Sequence, residues 1–355
     1  MKIVTIIGAR PQFIKAAVVS KAFEKSKETE EIIVHTGQHF DTSMSDVFFR
    51  ELQIPAPKYN LSVNSLSHGA MTGRMLEETE KILLREKPDF VLVYGDTNST
   101  VAGALAAKKL HIKVIHVEAG LRSFNPAMPE EINRIITDRL SDILFCPTEQ
   151  AVKNLTKEGF EHFNCKYYCV GDVMYDAVLH FLPIAKERQD IKIGSDKYIA
   201  CTLHRQETTD NKVYFGNVIE ALNSINKLIP VVLPIHPRTK KMLRAYDLRP
   251  EFKITEPLGY LDMLKFVSGS SLVITDSGGL QKESFFLKKY CAVIRNDTEW
   301  TELTDAGYAI TTGYDPNAVN KAVTELLNTK LSFNEKFYGD GNAAAKILKT
   351  ILQHV

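Results

Sequence analysis

The chain has 355 residues, with 44 basic and 43 acidic side chains and a formal charge of +1. That length exceeds what one core usually organises, so two domains of roughly 150 to 200 residues are expected. The charge balance offers no broad basic face for nucleic acid or an anionic membrane, and 44% hydrophobic with 25% charged residues is ordinary for a soluble globular protein. Five cysteines (Cys146, Cys165, Cys169, Cys201, Cys291) lie mostly in apolar runs and are expected as buried free thiols of a reducing compartment. Cys165 with Cys169 lacks the second pair that a zinc site needs. No leader-like segment and no long apolar span are present, which points to a cytoplasmic, non-membrane protein.

Taken in order, short runs rich in Val and Ile alternate with longer amphipathic segments, the sequence form of βαβ units and a parallel sheet. Residues 2–7 form the first expected strand, and Gly8-Ala9-Arg10-Pro11 turns into a helix with proline at its first position. Residues 32–35 are the second strand, followed by a polar loop over 36–41 and a helix from about residue 43. A helix over 69–85 carries Met71, Met75, Ile82 and Leu83 at core spacing. Strands over 90–94 and 114–117 follow, then a helix opening at Pro129, a strand over 143–146 and a helix capped by Pro147-Thr148-Glu149. The break between domains is expected near Gly171, giving a first domain over 1–171 and a second over 172–340. In the second, strands are expected over 198–203, 230–234, 272–275 and 291–294. The last helix, over 342–353, is expected to return to the first domain.

Ligands of doubly wound sheets bind outside the carboxyl ends of the strands, and there the chain concentrates its chemistry. Asp96 follows the 90–94 run, Glu118 follows the 114–117 run, and Glu130 with Glu131 opens the helix at Pro129. Carboxylates so placed, with Arg122 and Arg134 nearby, suit general acid/base work on a polar substrate. Each alone has a plain reading as a helix cap or first-turn acid; together they exceed what capping requires. Thr275-Asp276-Ser277-Gly278-Gly279 runs a strand into small residues and a helix, the arrangement by which free backbone N–H groups hold a phosphate. Glu283, one turn further in, would accept hydrogen bonds from ribose hydroxyls. A second anion site is expected at Arg10 with Lys15 on the first helix. His236 and Arg238, and Arg295, follow strands of the second domain and would make its crevice cationic, a setting for a pyrophosphate. His204, with Arg205 beside it, ends the 198–203 strand and is read as an acid/base group or a donor to a leaving phosphate.

The absences narrow the chemistry. No G-x-G-x-x-G follows a strand and no G-x-x-x-x-G-K-[ST] exists, so the chain is neither an NAD enzyme of the usual kind nor a P-loop enzyme. No cysteine and histidine set has metal-site spacing. A nucleotide here belongs to the substrate rather than to a redox cofactor, and no metal is expected.

Gly8-Ala9-Arg10-Pro11, Gly95-Asp96-Thr97, His116-Val117-Glu118-Ala119-Gly120-Leu121-Arg122, Pro129-Glu130-Glu131-x-Asn133-Arg134, Thr275-Asp276-Ser277-Gly278-Gly279 and Tyr338-Gly339-Asp340-Gly341 together resemble the non-hydrolysing UDP-N-acetylglucosamine 2-epimerases, over nearly the whole chain. The resemblance implies an α/β protein of glycosyltransferase-B type, two Rossmann-like domains with parallel sheets facing across a cleft, and a homodimer. It implies a cofactor-free isomerase that eliminates UDP to a 2-acetamidoglucal and adds it back with carbon 2 inverted. It puts Asp96, Glu118, Glu130 and His204 in the catalytic set. Arg10, Lys15, His236, Ser277, Gly278, Gly279, Glu283 and Arg295 fall on the UDP portion. The best-known members carry glutamate after Arg-Pro where this chain has Gln12. That change, with Arg295-Asn296-Asp297-Thr298-Glu299-Trp300-Thr301-Glu302 and Arg122-Ser123-Phe124-Asn125, resembles the subgroup acting on UDP-2,3-diacetamido-2,3-dideoxy-glucuronate, a sugar of bacterial surface polysaccharides. Arg122, Arg205 and Arg238 are candidates for its uronate carboxylate. The family's regulatory second substrate site would lie around Gln38, His39 and Arg74. A glycosyltransferase on the same fold and a non-catalytic nucleotide-sugar sensor are the competing classes, and neither needs so many carboxylates.

Overall fold

A computed structural model describes residues 1–38, 49, 51–189, 193–330 and 332–354. The chain divides into two compact units, Met1–His180 with Lys336–Val355, and Phe181–Glu335. The expected turn and helix start at residues 39–48, His39 included, lie outside the described residues.

In the first unit β1 (Lys2–Ile7), α1 (Arg10–Glu24), β2 (Glu30–His35), β3 (Tyr59–Asn60) and α2 (His68–Glu86) come first. They are followed by β4 (Phe90–Tyr94), α3 (Asn98–Lys109), β5 (Lys113–Val117), α4 (Pro129–Leu140), β6 (Ile143–Cys146), α5 (Glu149–Lys157) and β7 (Lys166–Cys169). The sheet is parallel, in the order β3-β2-β1-β4-β5-β6-β7. Every residue of β4 is buried, because helices cover both faces and the strand has no polar side to show. Strand order reverses between β1 and β4, so their carboxyl ends open a switch-point crevice. Helix α3 lies close above that pair because its contact face is small: Ala102, Ala104, Ala106 and Ala107 are fully buried. A Cβ on Gly103 would stand 3.0 Å from the Ile6 side chain. The core of this face joins Val4, Ile6, Val34, Val91 and Val93 to Ala104 and Ala107.

The second unit repeats the plan. After α6 (Val173–Lys186) come β8 (Ile199–Thr202), α7 (Gln206–Thr209), α8 (Lys212–Asn226), β9 (Val231–Pro234), α9 (Pro237–Ala245), β10 (Lys253–Thr255) and α10 (Tyr260–Gly269). Then follow β11 (Leu272–Thr275), α11 (Gly278–Phe286), β12 (Cys291–Val293), α12 (Thr301–Asp305), β13 (Ala309–Thr311) and α13 (Pro316–Asn328). Its parallel sheet runs β10-β9-β8-β11-β12-β13, with the switch point between β8 and β11. Ile199, Cys201, Leu233, Leu272 and Ile274 of the strands pack on Phe215 and Leu222 of α8 and on Val319 and Val323 of α13.

Helix α14 (Ala343–Leu352) belongs to the first unit and packs on α1 through a face that includes the fully buried Ile347 and Ile351. Its first turn is held by Asp176, whose carboxylate accepts the N–H groups of Ala343 and Ala344 at 3.1 and 2.8 Å. Just before it the chain crosses itself. Gly171 and Gly339 both have positive φ (93° and 84°), and a Cβ on Gly171 would lie 2.9 Å from the Tyr338 carbonyl oxygen. Only glycines allow the two backbones this approach. All five cysteines are free; Cys146, Cys201 and Cys291 are buried, whereas Cys165 is half-buried and Cys169 exposed, which corrects the expectation for those two. No described helix is long and apolar enough to cross a membrane.

Candidate active site

At the first switch point, α1 aims Lys15 at the end of β5, where its ammonium contacts the Glu118 carboxylate; both side chains are only 9% exposed. Glu118 sits at φ 72°, a left-handed conformation that costs a non-glycine residue about 1 kcal/mol or more. The strain is held by two hydrogen bonds, since the N–H groups of Glu118 and Ala119 both donate to the Phe145 carbonyl at 3.0 Å. Gly95 makes the room: at φ 62°, a Cβ there would stand 3.0 Å from Glu118 Oε2 and 3.3 Å from Lys15 Nζ.

Asp96 follows directly. Arg134 Nη2 donates to its Oδ2 at 2.6 Å, and Asn133 Nδ2 donates to its backbone carbonyl at 2.9 Å. Arg134 is itself fixed by Glu131, which also accepts the N–H groups of Ser123 and Phe124 at 2.9 and 3.0 Å. Burial works against charge on Glu131, but these donors outweigh it and hold the carboxyl below its ordinary range. The two adjacent acids thus differ: Glu131 is a buried clasp, while Glu130 is exposed on the first turn of α4. Arg10, at the first position of α1, is half-buried.

Arg122 does not present its guanidinium to a ligand. It is 5% exposed, forked onto Glu158 at 2.7 and 2.9 Å, and bonded to Asp138 and to its neighbour's carbonyl at 2.7 Å each. Burial opposes its charge, yet Glu158 and Asp138 prevail and strengthen its hold on the proton. The expectation that it meets a substrate carboxylate gives way to a structural role. Asp138 is the hub of that cluster: it also faces His116 Nδ1 at 2.7 Å and accepts the Gly120 N–H at 3.1 Å, while His116 Nε2 meets the Gly95 carbonyl at 2.8 Å. Of the expected regulatory residues, Gln38 accepts from Ser99 N and Oγ at 3.1 and 2.8 Å, and Arg74 is spent on Glu77 and Glu78 at the surface.

At the second unit's switch point the fully buried Asp276 spans β11 to β8. It accepts the N–H of His204 and of Arg205, and lies 3.4 Å from His204 Nδ1. The His204 side chain keeps 40% exposure, and its ring centroid stands 5.7 Å from that of His236, the N-cap of α9. Ser277 caps α11. The paired glycines divide their work: a Cβ on Gly278 would strike Glu299, whereas nothing lies within 4 Å of the Cβ position at Gly279. Gly278 therefore makes room for a carboxylate of this chain, and the Cβ position of Gly279 faces open space. Arg295 is 2% exposed, bonded to Glu299 at 2.8 Å and Asp297 at 3.3 Å; despite its burial, Glu299 is held ionised by Arg295 and Arg205. Arg238 pairs with Asp210 at 2.7 Å and Arg205 lies 3.6 Å from Glu207, so much of the expected cationic character is already balanced. Glu283 is buried on α11, 8% exposed.

Sequence reasoning gave no role to Asp276, Glu299 or Trp300, although all three stand inside motifs named above. Asp276 stood inside the quoted motif, and a charged residue between a strand and a serine cap was its signal. Trp300 closes the α11 turn by donating from Nε1 to the Gly278 carbonyl at 2.9 Å, with Lys282 Nζ 4.1 Å from its ring centroid.

Comparison with known proteins accords with this geometry. Residues 21–352 match the family model described as UDP-N-acetylglucosamine 2-epimerase. The chain is 51% identical over 351 residues to UDP-2,3-diacetamido-2,3-dideoxy-D-glucuronate 2-epimerase of Pseudomonas aeruginosa, covering 98% of each chain. The crystal structure of Methanocaldococcus jannaschii UDP-GlcNAc 2-epimerase in complex with UDP-GlcNAc and UDP is similar at TM-score 0.91 and 42% identity, over 100% of both chains. The Neisseria meningitidis UDP-GlcNAc 2-epimerase bound to UDP-GlcNAc is similar at TM-score 0.89 and 29% identity, over 99% of this chain and 100% of that one. These solved neighbours carry the glycosyltransferase-B architecture, and the two parallel sheets described above are of that type. With the match running over almost its entire length, the chain belongs to the UDP-N-acetylglucosamine 2-epimerase family.

Proposed function

We propose that this isomerase inverts carbon 2 of UDP-2,3-diacetamido-2,3-dideoxy-glucuronate to give its manno epimer, a step in making bacterial surface polysaccharide. The observation that carries the substrate is the 51% identity to a relative of that name across 98% of both chains. In the proposed reaction a carboxylate removes the carbon 2 proton while the carbon 1 to oxygen bond breaks and its electron pair leaves with UDP. UDP then adds back to the glucal and a proton returns to carbon 2 from the opposite face. The steps balance with protons alone, so the reading calls for no metal or redox cofactor.

Asp96, Glu118 and Glu130 are the proposed acid/base carboxylates. Asp96 and Glu118 are each in contact with a cation, Arg134 and Lys15 respectively. His204 is the proposed partner of the departing phosphate. Arg10, Lys15, His236, Ser277, Gly278, Gly279, Glu283 and Arg295 are proposed for the UDP portion, with Gly279 N–H at the open end of α11 and Arg295 acting through Glu299. Arg205 and Arg238 remain the proposed cations for the uronate. We also propose a cytoplasmic homodimer. Ile132, Ile135 and Ile136 form one stripe on α4, exposed by 48%, 41% and 39%, which supports a covered face in the assembly.

UDP-N-acetylglucosamine is the second reading, favoured by the UDP-GlcNAc bound to the archaeal and meningococcal neighbours. A proton NMR time course in deuterium oxide with each sugar offered separately tests both. The proposal expects a manno product deuterated at carbon 2, with UDP attached, from the diacetamido-glucuronate. Turnover of UDP-N-acetylglucosamine alone would transfer the assignment to that sugar. No carbon 2 exchange in either would remove the epimerase reading.

A further inference from the structure

Gln12 stands at the first unit's switch point and is 1% exposed. Its Oε1 accepts the N–H groups of Gly8 and Ala9 at 2.8 and 3.0 Å. Its Nε2 donates to the Tyr94 carbonyl at 2.9 Å and to Thr100 Oγ1 at 3.0 Å. Those four bonds use the whole capacity of a primary amide, two lone pairs and two protons. On one side they grip the turn that ends β1; on the other, the last residue of β4 and the first turn of α3. The grip is reinforced by Thr100 Oγ1, which donates to the same Tyr94 carbonyl at 2.7 Å and accepts the Thr97 N–H at 3.1 Å.

What lies just beyond each end gives the grip its meaning. Lys15, paired with Glu118, is one turn along α1 from Gln12. Past Tyr94 the chain turns at Gly95 with φ 62° and delivers Asp96. A shift of the Tyr94 carbonyl therefore moves Gly95, which borders the Lys15–Glu118 pair, and Asp96 together.

We propose that Gln12 is a positioning residue, setting the separation between Asp96 and the Lys15–Glu118 pair by tying the β1–α1 turn to the β4–α3 turn. The proposal rests on the epimerase reading for its effect on rate. Its physical core, the amide as the sole side chain that both accepts from one turn and donates to the other among these contacts, stands without it. The groups facing the amide are the Gly8 and Ala9 N–H, the Tyr94 carbonyl and the Thr100 hydroxyl, none of them charged; Lys15, on the same helix, is engaged by Glu118.

Gln12→Glu separates this role from simple stapling. A glutamate keeps both acceptor bonds to Gly8 and Ala9. It can donate to the Tyr94 carbonyl only while protonated, and when ionised it sets two oxygens against each other. The variant is expected to lose about tenfold or more in kcat near pH 8.5, with KM changed less than about threefold, and to recover toward wild type near pH 6. Compared with wild type at the same pH, amide hydrogen exchange is expected to quicken at Gly95 and Asp96 while Gly8 and Ala9 stay protected. A Gln12→Glu rate that tracks wild type at every pH, or exchange that quickens equally in both turns and across the sheet, overturns the proposal. Wild-type turnover decides the epimerase reading, and the exchange pattern decides this one even if wild type turns over neither sugar.

Discussion

The Asp276 carboxylate accepts the backbone N–H of His204 with both oxygens, at 3.1 and 3.0 Å, and the N–H of Arg205 at 2.9 Å. A buried anion thus shapes the turn that presents His204, from the neighbouring strand rather than from the histidine's own. Asp276→Asn keeps the shape but turns an N–H donor toward other donors. The expected result is a loss of about 10- to 100-fold in kcat, from an unmet hydrogen bond worth about 1–3 kcal/mol, with a smaller change in KM. Steady-state kinetics on the folded variant checks it, and kcat within about twofold of wild type would count against the arrangement.

Lys15 and Glu118 act as a pair, so their losses should not add. Glu118→Gln is expected to slow deuterium entry at carbon 2 by about 100-fold or more, the scale of a missing general base. Lys15→Met should cost less in the Glu118→Gln background than in wild type, because the partner it served is gone. Exchange rates of the two single variants and the double variant make the cycle. Strict additivity would mean that the contact seen between them has no energetic content.

Arg122 is expected to answer in stability rather than in substrate affinity. Arg122→Met leaves Asp138, wholly buried, without its guanidinium partner, and breaking a buried pair from one side costs about 3–5 kcal/mol. Urea denaturation should register that loss while KM per folded molecule stays within about threefold of wild type. A stable variant with a raised KM would return Arg122 to the substrate.

Glu31 makes stability depend on pH. Burial pushes its carboxyl up from 4.5 to about 7, against the lowering effect of the Thr5 hydroxyl, which donates to Oε1 at 2.6 Å. Its Oε2 is buried as well, and the Ser20 hydroxyl adds a smaller lowering effect. Because the folded state holds the proton more tightly than the unfolded chain, the stabilisation is complete below about pH 4.5 and is lost as pH rises through about 7. The difference is up to about 3 kcal/mol. Glu31→Gln should match wild type near pH 4 and exceed it in melting temperature near pH 8. Parallel melting curves across that range would show the carboxyl to be solvated.

The parallel α/β plan is legible because strands covered on both faces must be apolar runs: 90–94 and 272–275 are β4 and β11 residue for residue. The edge strands Tyr59–Asn60, Lys253–Thr255 and Ala309–Thr311 were not, since pairings of two or three residues carry no periodicity. Motif reading located Asp96, Glu118 and His204 at strand ends, where they stand. The resemblance singled out Glu130 over Glu131, but position alone could not show that Glu131 is the buried partner of Arg134, because the two acids are adjacent and differ in which way the helix faces. Arg122 misled for a related reason: an arginine after a catalytic motif reads as a ligand contact until Asp138 and Glu158, 16 and 36 residues away, are seen around it. Gly278 shows the limit most plainly, since nothing in the sequence tells that its missing side chain also makes room for Glu299, 21 residues on.

The crossing of Gly171 and Gly339 bears on how the molecule is made. By the time a ribosome has delivered residue 180, every strand of the first sheet exists, yet the helix that covers α1 is still to be translated, along with all of Phe181–Glu335. The nascent first unit must wait with the apolar face of α1 uncovered until Ile347 and Ile351 arrive. At about 5–20 residues per second, that interval lasts on the order of ten seconds or more. The second unit has all its residues once Glu335 is made, before the last helix exists, so it can close its core while the first cannot finish, and the two domains complete in the reverse of the order in which they begin.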